Sequence, residues 1–367
     1  MRITRALDRL GLKAHPQKTV RVVCGPAAER RKINKKLESD PQRIQDFIVK
    51  EAEQEEYLGM LFGSKNTRQN ITLNIAQKKI KVLVKVKIIK KMLKHPVMMK
   101  LGWMRAAVGL IQSIIIQTIM YGVESFINMT LQHVKDLEKI QKDSIYDVLG
   151  ISKYANYNSV VYELGLMKIE DLIKIRKVNF LNGLYHNREV NHCRDLIKKE
   201  DAESPEIGLA KEVREYCKET ELPDVTEDFV LKSIIDDKMK TEYVRKMWWT
   251  LTRSKKTIMS LMPVKDSNKY YFHFTRLEAK LMLALFTGEL NFLTNRKGEA
   301  SRLHGGTHCL VKVCCEEDTL QHVAECFGYT TRYDSRSGSL KQMAEYLTEL
   351  NKERTQKFGV PLIYFRE

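Results

Sequence analysis

The residues with the plainest chemistry lie in one window, Cys309 to Cys326, which reads CLVKVCCEEDTLQHVAEC. Four soft or borderline metal ligands fall inside it: Cys309, Cys314 or Cys315, His322 and Cys326. Thiolates followed by a His and a Cys one helical turn apart form the donor set of a tetrahedral Zn²⁺ site. Thr319 or Asp318 can cap a helix there, which sets His322 and Cys326 on one face. His304 and His308 lie just upstream and are alternative ligands, and adjacent Cys314 and Cys315 cannot easily serve one ion together. A closed site of this kind is structural: it leaves no open position for catalysis and holds a loop-rich segment that has no core of its own. The chain has seven Cys. Their crowding into one window points to metal and to a reducing, intracellular compartment, not to a disulfide scaffold.

The second chemical feature is charge. Lys plus Arg number 63 against 46 Asp plus Glu, a net charge of +17. From Gly63 to Val123 there is no Asp or Glu at all, yet Lys78, Lys79, Lys81, Lys85, Lys87, Lys90, Lys91, Lys94, Lys100 and Arg105 lie in that span. Such a run repels itself unless an anion compensates it, so RNA or DNA is the expected partner. A smaller basic cluster, Arg253, Lys255 and Lys256, is read equally as a helix end or a phosphate contact. The aromatic clump Tyr270 to Phe274 can stack bases, but core is the preferred reading.

Other chemistries are missing. No phosphate-binding Gly-rich loop, nucleophile elbow or placeable Ser/His/Asp set is present, and no small-molecule substrate is evident. Asp236-Asp237 sits in helical periodicity and reads as a solvated helix face, not as a two-metal site.

These groups need elements to position them. The content of apolar residues, 43%, supports folded cores and excludes a disordered chain. MRITRALDRL has no apolar core and is not a signal peptide. Ala106 to Val123 is the longest apolar run, but Gln112, Ser113, Gln117 and Thr118 interrupt it, so a buried helix is expected and no membrane partner. Residues 3–12 read as a helix, Val20 to Cys24 as a strand, and Glu29 to Asp40 as an exposed charged stretch. Two further strands are expected, from Asp46 and over Glu55 to Phe62, with Gly59 marking a bulge or a close backbone approach. KIKVLVKVK alternates like a strand, but the longer stretch 73–94 favours helix. Helices follow over Leu131 to Leu149, Lys168 to Tyr185, Phe229 to Thr252, Thr275 to Gly288 and Ser339 to Gln356, with Gly150 and Gly165 at helix ends. Residues 194–228 read as a charged surface connection with some helix.

Four stretches, in order, resemble the reverse transcriptases of non-LTR (LINE-like) retrotransposons. Leu10 to Thr19, LGLKAHPQKT, resembles the segment after the family's catalytic aspartate pair. Glu56-Tyr57-Leu58-Gly59 resembles the hairpin that closes the palm and grips the primer. Met120 to Glu124, MYGVE, resembles a thumb motif, and Cys309 to Cys326 resembles the C-terminal CCHC knuckle. The resemblance implies that Lys18 stands near an incoming nucleotide and that the ligand quartet is Cys309, Cys314, His322 and Cys326. It departs from the family in spacing: four residues separate Cys309 from Cys314, and three separate His322 from Cys326. The family's fingers and catalytic aspartates lie upstream of the Lys18 segment, and this chain starts at Met1 just after them.

Together these readings predict a mainly α protein with a small β element near the N-terminus. Its expected parts are a partial palm at 1–63, a basic helical thumb-like region at 64–160, a helical linker at 161–294, a zinc knuckle at 295–330 and a helical tail at 331–367. The implied function is nucleic-acid binding along a template–primer backbone by a polymerase remnant that does not polymerise alone, with Mg²⁺ relevant only if another chain supplies the missing palm. The alternatives are a basic protein-interaction module stapled by zinc, or the non-functional product of a dead element.

Overall fold

The computed structural model describes residues 20–22, 27–39, 43–44, 47–57, 59–63, 67–95, 102–153, 155–186, 191–203, 208–254, 274–287, 290, 322 and 340–362. Helix accounts for 75% of the described residues, so the protein is mainly α as the periodicity predicts. The helix expected at 3–12 lies outside them.

The β structure consists of three short pairs. β1 (Val20–Arg21) runs parallel to β4 (Lys50–Glu51), and β2 (Arg43–Ile44) pairs antiparallel with β3 (Phe47–Ile48). β5 (Gln54–Tyr57) and β6 (Met60–Gly63) form an antiparallel hairpin with Tyr57 opposite Met60. The single bulged strand expected over Glu55 to Phe62 is therefore two strands. Gly59 lies in the connecting turn at φ +80°, a conformation that glycine adopts without a steric penalty. The close approach expected there is real: a Cβ on Gly59 would sit 3.2 Å from the Tyr121 ring. The charged stretch after β1 is a helix, α1 (Ala27–Ser39), with a largely exposed surface.

The main core is built on α2 (Thr67–Leu93), 27 residues and about 40 Å long. The strand-like alternation of KIKVLVKVK is overridden by the longer period. Ile71, Ile75, Val82, Val86, Ile89 and Leu93 are all buried on one stripe, and Lys78, also buried, fills the seven-residue gap between Ile75 and Val82 so that the spacing is three to four throughout. They pack on an apolar helix that runs from α3 (Trp103–Leu110) through a π-helical turn (Ile111–Ile116) into α4 (Gln117–Met120). Ile111, Ile115 and Ile119 are fully buried, and each contributes roughly 1.5–3 kcal/mol by leaving water. Among the described residues, Trp103–Ser125 is the one stretch long and apolar enough to cross a membrane; here its apolar side packs in the core.

α5 (Leu131–Leu149) lies along α2. Thr130 caps it by accepting from the His133 N–H, and Gly150 ends it in the left-handed region as the sequence predicts. α6 (Tyr157–Glu163), α11 (Arg276–Thr287) and the tail helix α12 (Leu340–Phe358) complete this core.

A second core joins α7 (Ile169–His186), α9 (Leu209–Glu219) and the start of α10 (Lys232–Ser254). α8 (Asn191–Glu203) flanks it. The surface connection with some helix expected over 194–228 does contain helix, in α8 and α9, but α9 is more than surface. Leu209, Val213 and Cys217, four apart, are buried on one stripe that the charged neighbours mask in composition.

One glycine ties hairpin to core. Gly122 has φ +67°, and a Cβ there would lie 2.6 Å from Met60 Sδ. Gly122→Ala is expected to cost about 1–3 kcal/mol, whereas Gly109→Ala, on a helix with nothing within 4 Å of the added methyl, is expected to add about 0.4–1 kcal/mol. Urea denaturation of the two variants checks both signs.

Candidate nucleic-acid interface

The helical winding of α2 separates its lysines into groups with different surroundings. Asn74, Lys78, Lys81 and Lys85 fall on one line along the helix and face a cavity of about 350 Å³. The opposite wall is the π-helical turn and α4, through Ser113, Ile114, Gln117 and Thr118, and Tyr121 lies against the Gly59 turn at one end. π-Helical turns are rare inside α-helices and concentrate at functional sites.

Lys78 forms the floor, with only 4% of its surface exposed. Its Nζ donates to the Tyr121 carbonyl oxygen and stands 5.8 Å from the Tyr121 ring centre and 5.7 Å from that of Phe126. Burial lowers its pKa to about 8; Glu124 pulls it back up, and Lys81 and Arg176 push it further down. Lys81 lies at the exposed edge, 3.1 Å from Glu56 Oε1 on β5. The hydrogen bond from Lys81 holds the Glu56 carboxyl below its ordinary range. Lys85 donates to Thr118 Oγ1 at 2.6 Å, and that hydroxyl donates in turn to the Ile114 carbonyl. Arg176 on α7 donates to Gln117 Oε1 at 2.6 Å, which brings a fourth cation to the rim.

Lys79, Lys87, Lys91 and Lys94 are exposed and have no ion pair among the described residues; Arg105 on α3 is exposed too. Lys90 differs: it pairs with Asp147 of α5 at 2.6 Å, so part of its charge is already compensated. Lys18 and Lys100 lie outside the described residues. The solvent-facing arc of α2 is also apolar, since Ile80, Leu83, Val84, Ile88 and Met92 are all about half exposed or more. This face is therefore not a simple lysine surface, which the sequence reading missed.

The sequence reading also missed the polar wall of the cavity. The signal was present: Ser113, Gln117 and Thr118 recur at helical spacing in the apolar run. In the sequence they argue only against a membrane span; the structure places them opposite the lysines. Asp236 and Asp237 lie on α10, where Asp236 accepts from Asn179 Nδ2 at 2.9 Å and Asp237 is exposed. Phe274, at the end of the aromatic clump, is buried in the main core, and residues 270–273 lie outside the described set.

Cys309, Cys314 and Cys326 also lie outside the described residues, and His322 is a half-buried helical residue. Among the described residues no group of three or more His, Cys, Asp or Glu side chains is placed to hold a metal.

The buried lysines make stability depend on pH. Burial also lowers the pKa of Lys280, on α11, to about 8. Between about pH 8 and 10 the unfolded chain therefore binds more protons at these two lysines than the folded chain, and stability is expected to rise with pH. Burial pushes Tyr157, Tyr216 and Tyr243 the opposite way, upward from the ordinary tyrosine value. Above about pH 10 the unfolded state loses tyrosine protons first, and stability is expected to fall. Urea midpoints measured from pH 7 to 11 should peak near pH 10; a steady decline from pH 8 would show that the lysines are hydrated.

No protein-family model, curated protein or solved structure matches this chain.

Proposed function

We propose that this chain binds nucleic acid through α2 and is a partial non-LTR retrotransposon reverse transcriptase: the end of a palm, a thumb-like helical region, a linker and a zinc knuckle. The observation that carries the reading is the acid-free α2, with Lys79, Lys87, Lys91 and Lys94 exposed beside a cavity lined by Lys78, Lys81 and Lys85. A helix of this kind neutralises phosphates without reading sequence, which suits the grip of a polymerase thumb on a template–primer backbone. Binding of fluorescent single-stranded and duplex oligonucleotides, measured by anisotropy over a range of salt, tests it. A steep linear fall of log affinity with log salt is expected, and flat or absent binding would sink the reading.

Zinc belongs to the same proposal, held by Cys309, Cys314, His322 and Cys326 as a structural staple. One zinc per chain in the purified protein is the expected metal content.

The exposed apolar arc favours a second reading. Ile80, Leu83, Val84, Ile88 and Met92 between lysines would suit an amphipathic acidic partner protein. In that case an acidic partner competes with nucleic acid, and Ile80→Ser with Val84→Ser abolishes its binding while leaving the salt dependence of nucleic-acid binding intact.

A further inference from the structure

The cavity beside α2 has properties that the exposed lysines do not share. Lys78, Lys81 and Lys85 reach it from one side, and Arg176 stands at its rim on Gln117. The carboxylates that face this group are Glu56 on β5, bound to Lys81, and Glu124, near Lys78. Four cations against two carboxylates leave an excess of two positive charges. At about 350 Å³ the cavity is at the lower end of small-ligand sites, a volume that suits a single nucleotide. Tyr121 lines the cavity beside the Gly59 turn. The wall opposite adds the Gln117 amide, whose NH₂ can donate to a phosphate oxygen, whereas the Ser113 and Thr118 hydroxyls already donate to the Gly109 and Ile114 carbonyls.

We infer that this cavity is a subsite for a phosphomonoester end of a nucleic-acid strand, held by Lys78, Lys81 and Lys85. The inference rests on the nucleic-acid reading above and specifies which part of the strand enters. A terminal phosphate carries about −1.5 to −2 charges near pH 7, which matches the local excess; an internal phosphodiester carries half of that. The phosphate takes up its second proton near pH 6, and Lys78 loses its proton near pH 8, so the preference for a phosphorylated end is largest between these values.

The test uses the full chain and one short oligonucleotide with an internal fluorophore. It carries a 5′-phosphate, a 3′-phosphate or hydroxyls at both ends, and anisotropy is read at pH 7 and fixed salt. One phosphorylated form is expected to bind about tenfold tighter than the hydroxyl form. Lys85→Gln should erase that ratio. Lys79→Gln removes the same charge outside the cavity; it should weaken all three oligonucleotides alike and keep the ratio. Lys85 is half-buried and reaches Thr118 at the edge of the site, so thermal melts of both variants confirm that they remain folded. Equal binding of the three forms overturns the inference but leaves the nucleic-acid reading standing. So does a ratio that falls equally in both variants. If no oligonucleotide binds, that reading fails. Inorganic phosphate then decides the subsite: at constant ionic strength it should raise the melting temperature of the wild type and not that of Lys85→Gln, and no difference between the two overturns it.

Discussion

Replacing Lys79, Lys87, Lys91 and Lys94 together by Gln is expected to flatten the salt dependence of nucleic-acid binding more than any other change in this chain. Each lysine on a phosphate releases about 0.9 counterions from duplex DNA, so four contacts lower the slope of log affinity against log salt by about 3–4. Between 50 and 200 mM salt the wild type should therefore lose roughly a hundredfold more affinity than the variant. These four are chosen because they are exposed and no carboxylate among the described residues holds them. Lys90→Gln is the internal control. Its ammonium lies 2.6 Å from Asp147, so its removal should change the slope by clearly less than one. If the quadruple variant keeps the wild-type slope, α2 is not the phosphate-binding face, and the exposed apolar arc becomes the leading candidate for its function. If Lys90→Gln matters as much as any of the four, the Asp147 pair does not persist in solution.

The second large effect concerns the junction of the two cores. Lys177 of α7 is buried, with 1% of its side chain exposed, and it pairs with Glu212 of α9. The same ammonium donates to the Phe126 carbonyl at 2.7 Å, and the Glu212 carboxylate accepts from the Asn128 backbone N–H at 2.6 Å. Asn128 stands at φ +57°, a conformation with a steric cost for any residue other than glycine, and the Glu212 contact offsets that cost. This cluster holds the turn after the apolar helix against α7 and α9. Lys177→Met leaves Glu212 mostly buried without its cation, and a loss of about 3–5 kcal/mol is expected, read from urea denaturation. Lys177→Met combined with Glu212→Leu removes both charges and should recover part of that loss. It should not reach wild type, because the Phe126 carbonyl and the Asn128 N–H lose their partners. A double variant as stable as wild type would show that the pair adds nothing beyond the volume of its side chains.

The lysine face of α2 and the buried Lys177–Glu212 pair differ in how far local sequence specifies them. The acid-free stretch, the length of α2 and its buried stripe follow from composition and period. A lysine count and a spacing of three to four residues are local properties, and they survive whatever the helix packs against. The same holds for the Gly150 helix end, the helical tail and the glycine at the tip of the β5–β6 turn. The charged stretch over 194–228 was less legible. The apolar stripe of α9 is short, and its neighbours carry enough charge to hide it until α7 and α10 are seen against it.

By itself the sequence determined that this is a mainly helical, strongly basic protein with one long acid-free cationic helix and one apolar helix interrupted by polar residues. Composition and helical periodicity are enough for that, because they depend on neighbours within a few turns. Only the tertiary structure decided which lysines remain available. Glu56 reaches Lys81 from a hairpin, Asp147 reaches Lys90 from α5, and Thr118 and Tyr121 close a cavity over Lys85 and Lys78. The partners in each of these contacts are well separated along the chain. Coulomb and hydrogen-bond energies depend on distance in space, and packing alone sets that distance.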